Sequence, residues 1–283
     1  MTSRFALRRP GPAPALCRDP ARDGRRCYLC AGGEFWLLHE WPVGDEWNPA
    51  SIPIGVWRCA CGVVFLHPVP GPLELPERGD WWSGERRRHR RNPGWKRIRQ
   101  KLTRPFVGSS RARLVAATRR ARPAGRLLDV GCGTGLLLAL ARPTYECVGL
   151  EPSPVPAAAA RAQGFPVVES TLEAADLEPG SFDVVTMDAV VEHVTDPLAV
   201  LRKVHEVLRP GGVVALKTPR FGGPTSWLRG RGWNGFRHGY HTYLFTGRTL
   251  GRTLEAAGFR VLRSPRRDRF LGDILILWGR KPG

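Results

Sequence analysis

An α/β fold is what this sequence predicts: a mostly parallel, seven-stranded sheet with helices on both faces. Three observations carry that expectation. From residue 126 onward, short apolar runs alternate with helix-length segments, the pattern of a parallel sheet covered by crossover helices. The first run, Arg126-Leu127-Leu128-Asp129-Val130, breaks at once into Gly131-Cys132-Gly133-Thr134-Gly135 and an apolar stretch, Leu136 to Leu140. Strand, glycine turn and helix make the front edge of a nucleotide-type site. Later, Pro210-Gly211-Gly212 closes a helical segment, as proline and glycine do.

The elements follow in order. Residues 1–24, rich in Pro, Ala and Arg, read as a disordered leader without an apolar core, hence no signal peptide. Residues 25–70 hold two cysteine pairs and form a small module. Residues 71–123 are a connector with the pair Trp81-Trp82, then a basic region from Arg86 to Arg91 with Lys96 and Lys101, then a helix over about 110–122. Residues 124–283 carry the alternating pattern. Its strands are Leu127–Val130, Glu146–Glu151, Phe165–Val168, Phe182–Met187, Val213–Lys217, Phe259–Arg263 and Asp273–Trp278. Helices fall at Val155–Gln163, Asp196–Leu208 and Thr246–Ala257.

Composition narrows the function classes. The chain has 283 residues and 42% hydrophobic content, enough for one large domain and a small appendage. No apolar run approaches the ~20 residues of a membrane span, and the expected location is the cytoplasm. Net charge is +19, supplied almost wholly by arginine. A basic face for nucleic acid is one reading. Arginine-rich coding bias is the favoured one, because Ala, Gly and Pro are plentiful too and charge alone specifies no partner.

The glycines at 131, 133 and 135 run G-x-G-x-G with Asp129 two residues ahead. An anion at the loop mouth repels a diphosphate and suits a cationic ligand or an amine. This string resembles motif I of the class I S-adenosylmethionine-dependent methyltransferases, of the type 11/12 kind. Phe182-Asp183-Val184-Val185 with Glu192-His193-Val194, and Leu208-Arg209-Pro210-Gly211-Gly212, resemble that family's later segments in the same order. The resemblance implies a Rossmann-like methyltransferase fold over about residues 124–279 and S-adenosyl-L-methionine as cofactor. It implies that Asp129, Gly131, Cys132, Gly133, Thr134 and Gly135 hold the methionine end. Glu151, with Pro152 and Ser153, would take the ribose, since a carboxylate can accept both hydroxyls. Thr171 and Leu172 would meet adenine, and Asp188 and Ala189 the methionine part. His193 is either a general base near neutral pH or a residue that holds its loop. His241, in His241-Thr242-Tyr243-Leu244-Phe245, is a second candidate base.

Cys27-x-x-Cys30 and Cys59-x-Cys61 suit a four-thiolate structural zinc site. They resemble the zinc ribbon that precedes some bacterial methyltransferase domains, sugar C-methyltransferases among them. That ribbon has two residues inside its second pair and this chain has one, so His39 or His67 is an alternative to Cys61 as fourth ligand, and four reduced structural thiols without a metal are the other reading. The aromatic and glycine-rich segment 219–245 is expected to cover a substrate. The expected activity is methyl transfer to a small molecule, a sugar or secondary metabolite. An RNA or protein methyltransferase and a non-catalytic binding protein are the alternatives.

Overall fold

The structure, a computed structural model, describes residues 19–42, 53–68, 110–236, 241–262 and 273–283. Most of the leader, the Trp81-Trp82 pair and the basic run from Arg86 to Lys101 lie outside the described residues, as do His238 and Tyr240. The chain divides into two compact units. One comprises residues 1–73, 189–202 and 216–277, the other residues 74–188, 203–215 and 278–283.

The second unit carries the parallel strands. After helix α1 (Ser110–Ala121) come β4 (Gly125–Val130), α2 (Leu136–Ala141), β5 (Tyr145–Leu150), α3 (Pro154–Ala162), β6 (Val167–Val168) and β7 (Phe182–Asp188). β4 pairs in parallel with β5 on one side and β7 on the other, Val130 standing level with Leu150 and Met187. Strands buried on both faces read as unbroken apolar runs, and Phe182 to Met187 are all buried. Asp183 lies within that run because Arg122, Arg209 and the Arg126 amide all donate to its carboxylate. Helix α1 buries Leu114, Val115 and Thr118, and Trp278 Nε1 donates to the Thr118 hydroxyl at 3.2 Å.

Helix α4 (Pro197–Val207) begins at Asp196, whose carboxylate accepts from the amides of Leu198 and Ala199, a standard N-cap. At the other end of α4, Lys281 Nζ donates to the carbonyls of His205 and Leu208. The helix has ended before Pro210-Gly211-Gly212, as the sequence indicates, but the strand expected from Val213 starts earlier, and the tripeptide is part of it. It lies within β8 (Leu208–Pro219), held by Gly211 N–H to Lys281 O and Lys281 N–H to Gly212 O. Gly211 at φ +75° lets the strand enter directly from the helix.

With β10 (Arg260–Leu262) and β11 (Ile274–Arg280), the seven-stranded sheet has the order β10-β11-β8-β7-β4-β5-β6. β8 and β11 run through both units. The chain lays β4, β5 and β6 outward in one direction, then returns to the far side of β4 with β7. That reversal beside β4 is where open α/β sheets bind ligands.

The other unit holds an antiparallel sheet of β1 (Phe35–Trp41), β2 (Ile54–Cys59), β3 (Val64–His67) and β9 (Tyr243–Leu244), in that order. The aromatic segment, expected to cover a substrate, supplies α5 (Pro224–Arg229), two short 3-10 turns and β9. Trp233, 1% exposed, and Phe236 pack with Trp41, Ile54, Val56, Val64, Leu66 and Leu244. Rings at this density find more contact area in a core than over a solvent-filled opening. Helix α6 (Gly247–Ala256) follows, with a reciprocal capping box between Thr246 and Thr249.

Candidate functional site

The glycine loop leaves β4 with Gly131, Gly133 and Gly135 at φ +67°, +53° and +83°, a region that costs an L side chain dearly. The amides of Gly131 and Cys132 both donate to Leu150 O, so the loop is fastened across the end of β5. At Gly135 an added Cβ would press on Phe165 and Ala160 at 3.2–3.3 Å. The Cys132 thiol is buried, and a Cβ on Gly149 would come within 2.6 Å of its Sγ. That side chain fills the sheet, and only the backbone of Cys132 belongs to the loop surface. The Thr134 carbonyl accepts from the Gln163 side chain.

Asp129 is 2% exposed and takes a 2.7 Å hydrogen bond from Thr186 Oγ1. Burial pushes its carboxyl up to about 7, the Thr186 hydroxyl opposes that, and the charge of Asp188 adds to it. Asp188, at the end of β7, is engaged by Arg111 from α1. Ala189 follows at φ +59°, strained for a residue with a Cβ, and such strain gathers at functional sites. Its amide donates to Lys217 O at 2.8 Å.

Glu151 is buried at the end of β5. One carboxylate oxygen accepts from the Gly133 amide and the other from the Ser153 amide, both at 2.9 Å. Each oxygen retains a lone pair. The Ser153 hydroxyl is buried and makes no hydrogen bond among the described residues, although buried hydroxyls ordinarily have a partner. Pro152 beside it is exposed. Beyond β6, exposed Thr171 accepts from the Ala174 amide through its hydroxyl, and Leu172 is buried. A polar orphan, a carboxylate pair and a Cβ-free loop thus gather at the ends of adjacent parallel strands. Those donors and acceptors fit an adenosyl cofactor with a ribose diol and a charged amine.

Within the other unit, two clusters form. Cys27, Cys30, Cys59 and Cys61 place their sulfurs within 4.8 Å of one another. The shortened second pair closes because Gly62, at φ +98°, turns the chain tightly enough for its amide to reach Cys59 O at 2.8 Å. The two histidines offered as alternative ligands are engaged elsewhere: His67 with Asp23 at 2.8 Å, His39 against Trp41 and Phe236. The second cluster is Glu192, His193 and His241, whose potential ligand atoms also lie within 4.8 Å of one another. Glu192 is buried and His193 exposed. The His193 and His241 rings meet at 4.8 Å between centroids, and His241 Nδ1 bonds to Gly235 O at 2.6 Å.

Three residues of these sites escape a reading by sequence. Thr186 sits inside an apolar strand and looks like packing. Arg111 is one arginine among many. Tyr243 looks like one more aromatic, yet its amide donates to Glu192 O and its hydroxyl to Thr195 O, both at 3.1 Å.

Fold and loop together define a Rossmann-like methyltransferase architecture. The structure is similar to that of an S-adenosylmethionine-dependent methyltransferase of Thermotoga maritima. The TM-score is 0.51 and the identity 23%, covering 71% of this chain and 99% of the other. Residues 88–264 match the methyltransferase-domain family, and the chain belongs to it. Among curated proteins it is 40% identical over 110 residues to a ubiquinone biosynthesis O-methyltransferase of Xanthomonas campestris, covering 36% of this chain and 46% of that protein. It is 38% identical over 101 residues to one of Vibrio cholerae, covering 33% and 41%. The chain thus spans less than half the length of these curated relatives.

Proposed function

We propose that the protein transfers the methyl group of S-adenosylmethionine to an oxygen of a small molecule, a sugar or a secondary metabolite. The observation that carries this is the Asp129–glycine loop–Glu151 arrangement, with the Ser153 hydroxyl left over beside it. The oxygen acceptor is favoured by the names of the curated relatives. When bound, the cofactor supplies a methyl group on a sulfonium, already an excellent leaving group. What remains for the chain is to hold both partners and exclude water. Asp129 and the loop amides take the amino-acid end, Glu151 and Ser153 the ribose, Thr171 and Leu172 the adenine, and Asp188 and Ala189 the methionine chain. His193 and His241 handle the hydroxyl proton.

The four cysteines hold a structural zinc in this reading. Burial pushes the Cys27 thiol up to about 11. A dication among the sulfurs is what draws such thiols into thiolate form. The protein as purified should contain about one zinc per chain by elemental analysis. Cys27→Ser with Cys30→Ser should lose it, and an unchanged content would refute the site.

For the cofactor, calorimetric titration with S-adenosylhomocysteine should show one site. Asp129→Ala and Glu151→Ala should each abolish it while the fold persists by circular dichroism. Absence of binding at millimolar ligand in the wild type would leave only a cofactor-free binding protein. Salt-sensitive capture of RNA together with cofactor binding would instead move the substrate class to nucleic acid.

A further inference from the structure

We infer that the four-cysteine cluster is a reversible thiol switch: hydrogen peroxide joins Cys27 to Cys61 and Cys30 to Cys59 as disulfides, and the metal is expelled. The inference rests on the zinc reading proposed above and adds a second state of the same sulfurs.

Geometry selects the pairs. Cys30 Sγ lies 3.5 Å from Cys59 Sγ, and Cys27 Sγ 3.6 Å from Cys61 Sγ. Both pairs cross from one turn of the module to the other. A disulfide has a sulfur separation of about 2.05 Å, so each pair must close by roughly 1.5 Å. Each turn has a frame of its own that does not depend on sulfur. The Cys27 amide donates to Gly32 O at 2.9 Å and the Ala31 amide to Cys27 O at 2.8 Å. In the other turn the Cys59 amide donates to Val63 O and the Gly62 amide to Cys59 O, both at 2.8 Å. Loss of the metal therefore leaves both turns in place to bring the sulfurs together.

Burial divides each pair in the same way. Cys30 is exposed and Cys61 partly so, whereas Cys27 and Cys59 are buried. Each pair joins one sulfur that an oxidant can reach with one that it cannot. Oxidation follows access, so it starts at Cys30 and Cys61, and the buried partner resolves it.

The steps balance. The Cys30 sulfur attacks one oxygen of the peroxide, the O–O bond breaks, and the other oxygen leaves as water. The resulting sulfenic acid is attacked by the Cys59 sulfur; the S–S bond forms, the S–O bond breaks and a second water leaves. Two electrons pass from the sulfur pair to one peroxide. The two protons that complete the waters come from the thiols or, where zinc held them as thiolates, from solvent. Cys61 and Cys27 repeat the sequence with a second peroxide. Disulfide sulfurs are no longer thiolates, so Zn2+ loses its ligands and leaves. The change reaches α6, because the Cys61 carbonyl accepts from Arg252 Nη1 at 2.8 Å and Tyr28, between Cys27 and Cys30, bonds Thr253 at 3.0 Å.

The test treats the full-length, zinc-loaded protein with hydrogen peroxide. A chromogenic chelator should register the loss of about one zinc per chain. Non-reducing peptide mapping should find Cys27–Cys61 and Cys30–Cys59, with the circular dichroism spectrum retained. Dithiothreitol and Zn2+ should restore thiols and metal together. In Cys61→Ser the Cys30–Cys59 bond should still form. Zinc retained under peroxide, bonds within a turn, sulfinic acids in place of disulfides, or release only as the spectrum collapses would each overturn the inference and leave the zinc site standing. A protein that holds no zinc as purified overturns the zinc reading itself, and the inference with it.

Discussion

Asp129 shows how a single buried carboxyl sets a measurable property. Its pKa of about 7 lies above the ~3.9 of an unfolded chain. In the unliganded protein it holds its proton across the acid range, and it contributes less stability as pH rises from about 4 through 7. An ammonium ligand wants the carboxylate. Affinity for S-adenosylhomocysteine should therefore rise with pH, by up to roughly ninefold between pH 6 and 8 as the ionised fraction grows from ~0.1 to ~0.9. Asp129→Asn should flatten the dependence. Calorimetry at both pH values checks this, and a flat wild-type profile would place the amine elsewhere. The glycine loop, Asp129 and Glu151 were legible in the chain because their spacing is local and chemically unusual. Arg111 was not, because its engagement with Asp188 joins residues far apart in sequence and nothing marks it among other arginines.

At the level of elements, Tyr243 is the point where the cysteine module, β9 and the Glu192 turn meet. Its ring packs edge-on against Tyr28 at 5.0 Å, Arg25 donates to its hydroxyl at 3.1 Å, and that hydroxyl donates to Thr195 O. Tyr28, inside the Cys27–Cys30 turn, also bonds Thr253 on α6 at 3.0 Å. Tyr243→Phe should cost about 1 kcal/mol through the lost hydrogen bonds. Tyr243→Ala should cost about 3–5 kcal/mol through the emptied core position. Urea unfolding separates the two, and equal losses would show that the ring packs nothing. The helices and strands themselves were readable from periodicity and stop signals. The destination of the aromatic segment was not. Trp233 and Phe236 show only that rings are available, and most of the sheet residues they pack against, Trp41 to Leu66, lie far earlier in the chain.

For the whole molecule, methyl-donor recognition and stability are one quantity. A ligand that binds only the folded chain at 100 times its dissociation constant stabilises it by about 2.7 kcal/mol. S-adenosylhomocysteine should thus raise the thermal midpoint in a concentration-dependent way, and an invariant midpoint would contradict a native cofactor site. Net charge of +19 implies strong self-repulsion at low salt, so the comparison belongs at fixed ionic strength. No helix among the described residues is long and apolar enough to cross a membrane.

The pairing of β3 with β9, Phe65 opposite Tyr243, also sets a timetable. During synthesis at ~5–20 residues per second, the N-terminal strands wait on the order of ten to thirty seconds for their last neighbour to be made. Through that interval β3 has no β9 to pair with. The zinc site proposed above draws all four ligands from residues 27–61, so its ligands are all made before residue 244 arrives.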